Sequence, residues 1–258
     1  MKRILFSIVC IFLISAIFAE AGMSDKNANL IQAAGKGNLP EVQNVLNDGA
    51  NVNANNNMNE TALMMASDKG NMEIVKLLLG KGASVNVKTL YKCTTALMMA
   101  SNKGYTEIVK LLLDKGADVN INNNDNETAL MMASDKGYTE IVKLLLGKGA
   151  NVNVNYSNGA TVLMMASDKG YTEIVKLLLD KGANVNVKTT LDGVTPLMMA
   201  SNKGYTEIVK LLLDKGANVN ENDTKGLTAL MIASDKGHME IVKLLLDKNA
   251  DVSVKHTN

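Results

Sequence analysis

Apolar and polar positions alternate with a helical period through most of the chain, and residues 125–154 show the pattern well. Ile141–Leu146 is apolar except for Lys143, so one side of this segment is suited to burial and the other to water. The spacing predicts a helix that begins near Thr139. Gly149 follows the apolar stretch and is expected to stop the helix.

A shorter helix is predicted just before it. Thr128 can cap a helix over Ala129–Lys136 by accepting a hydrogen bond from a free backbone N–H, and Gly137 can end that helix in a left-handed conformation. After the longer helix, Asn151–Val154 alternates polar and apolar residues, which predicts a short strand. Ser157–Gly159 then supplies residues typical of turns.

This helix–turn–helix unit recurs along the chain. Thr-Ala-Leu-Met or a close variant begins at positions spaced 33 or 34 residues apart, namely Thr61, Thr95, Thr128, Thr161, Thr195 and Thr228. A degenerate copy around Ala33–Gly37 precedes them. Seven units are therefore predicted, with approximate bounds 27–57, 58–90, 91–124, 125–156, 157–190, 191–223 and 224–258.

Three segments of the unit carry a family resemblance. They are Thr-Pro-Leu at Thr195 and its Thr-Ala-Leu relatives, the decapeptide Gly-Tyr-Thr-Glu-Ile-Val-Lys-Leu-Leu-Leu that begins at Gly104, Gly137, Gly170 and Gly204, and Gly-Ala-Asn-Val-Asn at Gly149, Gly182 and Gly216. With these motifs the chain resembles an ankyrin-repeat array. The resemblance implies an all-α repeat solenoid of stacked helix–turn–helix units with β-turn or hairpin tips. Tetratricopeptide repeats fit less well, because they need a long first helix.

The chain departs from the ankyrin pattern in its first helices and at some turns. Methionine stands where the family has histidine, at Met64, Met98, Met131, Met164, Met198 and Met231. The turn glycine is replaced by Asn59, Cys93 and Asn126 in three units. Asparagine tolerates a left-handed conformation better than cysteine does, so the tip that contains Cys93 is expected to be irregular.

The two ends of the array are predicted to differ. The second helix of the first unit carries polar Gln43, Asn44 and Asn47, which is typical of a capping repeat. The last unit keeps the apolar pattern of Ile241–Leu246 and has no polar cap after it. This end is therefore expected to be exposed or paired.

The first residues are interpreted as a targeting signal. Lys2 and Arg3 precede an apolar run over 4–19, and the run is followed by small residues at Ala19 and Ala21. This pattern predicts a secretory signal peptide over residues 1–21, which leaves 22–258 as the ankyrin-repeat domain of an exported protein, periplasmic or secreted. An uncleaved anchor is the less favoured alternative, because the run is shorter than the roughly 20 residues that span a membrane.

The composition supports this interpretation, because several residue types occur only or mainly in the first residues of the chain. All 3 Phe and the single Arg lie in the first 18 residues, and the chain has no Trp. Removing residues 1–21 leaves 27 − 2 = 25 basic and 26 − 1 = 25 acidic residues, so the remaining chain is formally neutral. Cys93 would then be the only cysteine, which excludes an internal disulfide and leaves an intermolecular one open.

The sequence offers little material for catalysis or cofactor binding. His238 and His256 lie far along a linear array from Cys93, so no catalytic dyad or clustered metal site is expected. The glycines are placed to end helices and shape turns rather than to hold phosphate. With neutral charge and no Arg, Phe or Trp after the signal, nucleic-acid binding is not expected either. We therefore expect a protein that is not an enzyme and takes no cofactor.

The resemblance implies that a protein partner binds at the β-turn tips and on the concave face. The tips also differ most between units, which fits individual contacts but equally fits drift of solvent-exposed residues. The candidate partner-binding residues are Tyr91, Lys92, Thr94, Asp125, Glu127, Tyr156, Asn158, Leu191, Asp192, Val194, Lys225 and Leu227. Tyr91 and Tyr156 are the best anchor candidates, since binding hot spots favour tyrosine. The tyrosines at one fixed place before the second helix, Tyr105, Tyr138, Tyr171 and Tyr205, are interpreted as structural.

Two functions remain open. The favoured hypothesis is a non-catalytic scaffold that binds an unidentified protein partner outside the cytoplasm. The alternative is a structural or self-associating envelope protein that pairs through its uncapped last unit. The Met-Met pairs of the first helices are interpreted mainly as core filling, and alternatively as an adaptable binding groove.

Overall fold

A computed structural model of the chain describes residues 24–254. Within that range the protein has fourteen helices and no strand, which confirms the expected all-α solenoid of stacked helix–turn–helix units. The chain divides into two compact units, Met1–Ala117 and Asp118–Asn258. The division falls inside the third predicted repeat.

The first unit contains three helix pairs. Its helices are α1 (24–36), α2 (Leu39–Asn47), α3 (Ala62–Lys69), α4 (Met72–Gly80), α5 (Ala96–Lys103) and α6 (Thr106–Asp114). Odd-numbered helices are the first of each pair. The first helices of the second and third repeats pack against each other, and each also packs against the second helix of its own pair.

The second unit contains four such pairs. Its helices are α7 (Ala129–Asp135), α8 (Thr139–Gly147), α9 (Val162–Lys169), α10 (Thr172–Asp180), α11 (Pro196–Lys203), α12 (Thr206–Asp214), α13 (Ala229–Asp235) and α14 (Met239–Asp247). In α8, Ile141, Val142 and Leu145 have no exposed surface, and Leu144 is half-buried. Successive pairs therefore bury one side of the second helix, as the apolar spacing predicts.

The threonine caps are confirmed at each of the six repeats that carry the motif. Thr128 Oγ1 accepts a hydrogen bond from the backbone N of Met131 at 3.3 Å, and the same bond recurs at Thr61, Thr95, Thr161, Thr195 and Thr228. Helix α7 ends at Asp135, one residue earlier than predicted. Gly137 has φ 75°, the left-handed conformation expected of it.

The predicted strand at Asn151–Val154 is wrong, because these residues form a turn. The physical reason is that the asparagine side chains form hydrogen bonds that a strand would not allow. Asn151 Oδ1 accepts from the backbone N of Asn153 at 2.9 Å, and the side-chain amide of Asn153 donates to the carbonyl of Gly182 in the next repeat. Four tips each keep one isolated antiparallel bridge in place of a hairpin. The bridges join Asn55 to Thr61, Asn122 to Thr128, Asn155 to Thr161, and Asn222 to Thr228.

The ends differ as expected. Gln43, Asn44 and Asn47 are exposed on α2, which confirms a polar capping helix. In the last repeat, apolar side chains on α14 are exposed. The predicted signal peptide over residues 1–21 and the histidine at 256 lie outside the described residues. Across residues 24–254, no helix combines the length and apolar character needed to cross a bilayer.

Candidate partner-binding surface

Four of the six tips are tight turns, and three of these are organised around one side-chain acceptor. In the tip that begins at Asn123, its Oδ1 accepts from the backbone N of Asp125 at 3.0 Å and of Glu127 at 2.8 Å. Asn126 takes the left-handed position with φ 61°. Asp125 is exposed, whereas Glu127 is half-buried and its carboxylate accepts from Asn123 Nδ2 at 2.9 Å. Asn56 and Asp223 build their tips in the same way.

The tips at Thr89–Thr94 and Thr189–Val194 are one residue longer. In the first, Thr89 Oγ1 accepts from the backbone N of Thr94 at 3.0 Å, and its carbonyl accepts from the backbone N of Cys93 at 3.1 Å. The same bonds close the second tip, with Gly193 in place of the cysteine. The expected irregularity of the Cys93 tip is therefore wrong: the same bonds close both tips, and Cys93 takes with φ 54° the left-handed backbone that Gly193 takes with φ 67°.

The extra residue turns an apolar side chain outward in each long tip. Tyr91 is 66% exposed and Leu191 is 78% exposed, so both predicted contact residues lie on the surface. Leu90 and Met58 are not among the residues that the sequence predicted for the site, yet both are exposed. Their tips are joined by a bond from the backbone N of Leu90 to the carbonyl of Met58 at 2.8 Å, so the first unit presents a cluster of Met58, Leu90 and Tyr91.

Tyr156 lies differently from Tyr91. It occupies the place of the turn acceptor in its tip and is half-buried. Burial raises the pKa of the Tyr156 phenol above its usual value, and the carboxylates of Glu127 and Asp135 raise it further. The ring is thus partly covered beside two acidic groups, and it offers less free surface than an exposed anchor would.

The other candidate residues divide between exposed and half-buried positions. Lys92, Asn158, Asp192 and Lys225 are exposed, whereas Thr94, Val194 and Leu227 are half-buried. In the second unit, neighbouring tips are also joined: the carbonyl of Asn158 accepts from Thr190, and that of Asp192 accepts from Thr224. The structure places the candidate residues of each unit along a connected row of tips. We call it the tip row.

Three of the tyrosines before the second helices, Tyr105, Tyr171 and Tyr205, pack on the preceding repeat. A Cβ built on Gly170 would lie 2.7 Å from Cζ of Tyr205, so the ring covers this glycine. Gly70 and Tyr105 are in the same contact, as are Gly137 and Tyr171. These contacts support the structural interpretation of the tyrosines. In the last repeat the same place against Gly204 is taken by His238.

Comparison with known families agrees with this geometry. A family profile described as Ankyrin repeats (3 copies) matches residues 6–89, 97–189 and 163–256. The chain belongs to the ankyrin-repeat family. No curated protein matches the chain in sequence. Ankyrin repeats generally mediate protein–protein interaction and are typically non-catalytic, which supports a scaffold role for this protein.

The methionines that replace the ankyrin histidine belong to the core in five repeats. Met64, Met98, Met131, Met164 and Met198 are at most 1% exposed, which confirms core filling for the first member of each Met-Met pair. The second members are half-buried instead, at Met65 and Met99 in the first unit and at Met132, Met165 and Met199 in the second. These outer methionines form an apolar row on the first helices.

The outer methionines continue towards the tips. In the first unit, Met65 and the turn residue Asn56 line one shallow groove of about 380 Å³, together with Ile31 and Gln32 of α1. A thioether is flexible and polarizable, so such a row can adapt to different apolar side chains. Tip and helix face can therefore contact one ligand together.

Charged side chains follow the ends of the first helices. Lys169 Nζ lies 2.7 Å from Asp135 Oδ1, and Lys136 Nζ lies 3.4 Å from Asp135 Oδ2. Partial burial alone would raise the pKa of Asp135, but bonds and charge from Lys169 and Lys136 hold it below its ordinary value. Lys203 and Asp168 pair similarly at 3.7 Å.

Metal ligation has no support in the part of the chain that the structure describes. His, Cys, Asp and Glu side chains there form no group of three or more that could hold an ion. Cys93 is a free, half-buried thiol. The ring of His238 contacts the carbonyl of Asn202 at 3.3 Å, next to the glycine it covers.

Proposed function

We propose that this ankyrin-repeat protein is a non-catalytic scaffold that acts outside the cytoplasm and binds a protein partner through its tip row and outer methionines. The observation that carries the proposal is the exposure of Leu191 and Tyr91, which present 78% and 66% of their surface to solvent. A few residues supply most of the binding energy of a protein interface, and tyrosine is enriched among them. An exposed leucine adds apolar surface that a partner can remove from water. Export rests on the pattern of residues 1–21 alone.

A site-specific crosslinking experiment tests the binding surface. A photo-crosslinking residue at 191 is expected to capture a partner from the secreted or envelope fraction, and the same residue at exposed Lys176, on the outer face of α10, is the matched control. The captured protein is then purified and titrated. Leu191→Ala and Tyr91→Ala should each weaken its binding by about tenfold, whereas Lys176→Ala should not.

The outcome is interpretable because the tested side chains are exposed. Substituting them should leave the free energy of unfolding within about 0.5 kcal/mol of the parent's, so lost binding would not reflect lost folding. Equal capture from positions 191 and 176, or unchanged affinity in both tip variants, would count against the tip row. Mass spectrometry of the exported chain tests the signal, with Gly22 as the expected first residue.

A further inference from the structure

The last repeat leaves open a face that each internal repeat buries. Leu246 on α14 is 43% exposed, whereas its counterpart Leu179 on α10 is 6% exposed. Val252 is 76% exposed, and its counterpart Val152 is 7% exposed. In internal repeats this surface is covered by the next helix pair. We call Met239, Val242, Leu246 and Val252 the terminal face.

Three of these residues share one side of α14. Met239, Val242 and Leu246 follow the i, i+3, i+7 spacing that places side chains on a common stripe. Val242 is half-buried, although its counterpart Val175 has no exposed surface. Removing such apolar surface from water favours association. The stripe is therefore suited to packing against another helix.

The charged residues beside this stripe indicate which helix would pack against it. In two internal repeats the lysine of the second helix pairs with a glutamate of the next repeat: Lys143 with Glu173 at 2.8 Å, and Lys210 with Glu240 at 3.2 Å. The aspartate that ends the helix pairs with a lysine of the next repeat, as Asp180 does with Lys215 at 2.9 Å. Lys243 and Asp247 occupy these two places on α14, and neither forms an ion pair within residues 24–254.

A second copy of the same helix would satisfy both charges. Lys243 and Asp247 lie two residues on either side of Leu245, so a two-fold axis between the two helices, at the level of Leu245, places each lysine opposite the aspartate of the other copy. Such an interface is isologous, since the same patch is used on both sides. Head-to-tail stacking fits less well, because the outer helix of the first repeat, α2, exposes polar Gln43 and Asn44.

We propose that two copies of the chain pair through the terminal face, with α14 antiparallel to its copy and Lys243 of each copy beside Asp247 of the other. This goes beyond the scaffold function, since it leaves the tip row unoccupied. The dimer would present two tip rows to a partner.

Sedimentation velocity on the full chain, over a wide concentration range, tests the pairing. The parent should form a dimer. In the dimer, position 243 of each copy faces position 247 of the other. Lys243→Glu or Asp247→Lys therefore puts like charges opposite each other at both pairs, and each should weaken dimerisation by about tenfold or more. An equimolar mixture of these two variants should form a heterodimer, because opposite charges then face each other at both 243–247 pairs. Lys176→Glu, the same substitution on α10, is the control and should leave the dimer unchanged.

Several results would overturn the proposal. They are a parent that stays monomeric, single variants that dimerise as tightly as the parent, or a mixture that does not restore association. A monomer would assign the terminal face to another occupant. Leu246→Glu, checked by circular dichroism for retained helix, should also abolish the dimer. Tyr91→Ala and Leu191→Ala should not change it, so failure of the dimer and failure of the tip-row function give different results.

Discussion

The side-chain amide of Asn153 donates to the carbonyl oxygen of Gly182, 3.3 Å away and one repeat further along the chain. Its Oδ1 accepts in turn from the backbone N of Asn184 at 2.9 Å. One side chain therefore satisfies a carbonyl beyond the end of α10 and an N–H of the following turn. The same hydrogen bond, from a side-chain amide to a backbone carbonyl of the next repeat, recurs at Asn53, Asn86, Asn120, Asn186 and Asn220.

We predict that Asn153→Ala lowers the free energy of unfolding by about 1–2 kcal/mol, since two hydrogen bonds of about 0.5–1.5 kcal/mol each are lost at an exposed site. Urea denaturation followed by circular dichroism measures the change. Asn151→Asp is the control. Asp118 holds the counterpart position and bonds the backbone N of Asn120 at 2.9 Å, so an aspartate at 151 should be tolerated. Equal losses in both variants would show that the bond to Gly182 is not the cause.

The glycines that end the first helices differ from those after the second helices in what lies above them. Gly170 and Gly182 both have left-handed backbones, with φ 77° and 82°. Tyr205 covers Gly170, but nothing lies within 4 Å of a Cβ built on Gly182. Gly182→Ala should therefore cost only backbone strain, about 1–2 kcal/mol. Gly170→Ala should cost about 1–3 kcal/mol more, because the ring must also move.

A double-mutant cycle separates these two effects. Tyr205→Ala removes the ring, so Gly170→Ala should then cost no more than Gly182→Ala does in the parent. Additive effects of Gly170→Ala and Tyr205→Ala would contradict the contact. Thermal unfolding of the four chains of the cycle and of Gly182→Ala supplies the comparison.

The repeat period and the local signals of one unit predicted the helices closely. Thr128 and Gly137 bound a helix because capping is a short-range interaction that depends on a few neighbouring residues. The strand at Asn151–Val154 failed for the opposite reason. Its alternation matched a strand, but Asn153 bonds to Gly182, a partner 29 residues away that no local pattern reveals.

For the candidate site, the sequence predicted the positions of the tips but not the exposure of their side chains. The tips were placed correctly, but the sequence could not separate exposed Leu191 from half-buried Leu227, because both are apolar tip residues. A usable signal was present in the spacing. The 34-residue intervals that end at Thr95 and Thr195 contain the longer tips, which turn Tyr91 and Leu191 outward.

Five serines in the first helices are buried with hydroxyls that have no hydrogen-bond partner within the described residues, at Ser67, Ser101, Ser134, Ser167 and Ser201. The first repeat has Ala34 at this position, also fully buried. We predict that Ser167→Ala raises the free energy of unfolding by about 1 kcal/mol, because burying an unpaired polar group costs about 1–3 kcal/mol. Ser234 in α13 is the control at the corresponding position: it is exposed and its hydroxyl donates to the carbonyl of Leu230 at 2.8 Å, so Ser234→Ala should bring no gain. A loss of stability in Ser167→Ala, measured by urea denaturation, would indicate a bond to the hydroxyl.

The ion pair between Lys169 and Asp135 predicts a pH-dependent contribution to stability. The folded-state pKa of Asp135 is lowered, so the contribution is present above the unfolded pKa, about 3.9, and is lost as the pH falls through the folded pKa. Lys169→Met should therefore cost up to about 1 kcal/mol at neutral pH, since both side chains are partly exposed. At about pH 2 the cost should shrink to that of the bond from Lys169 Nζ to the Asp135 backbone carbonyl, which does not titrate.

Urea denaturation at the two pH values measures this difference. Lys181→Met, at an exposed residue after α10, is the control for losing a surface charge and should show no comparable pH dependence. A cost for Lys169→Met that is the same or larger in acid would mean that the carboxylate does not supply the stabilisation. In that case the backbone bond alone would link the first helices of the fourth and fifth repeats at this point.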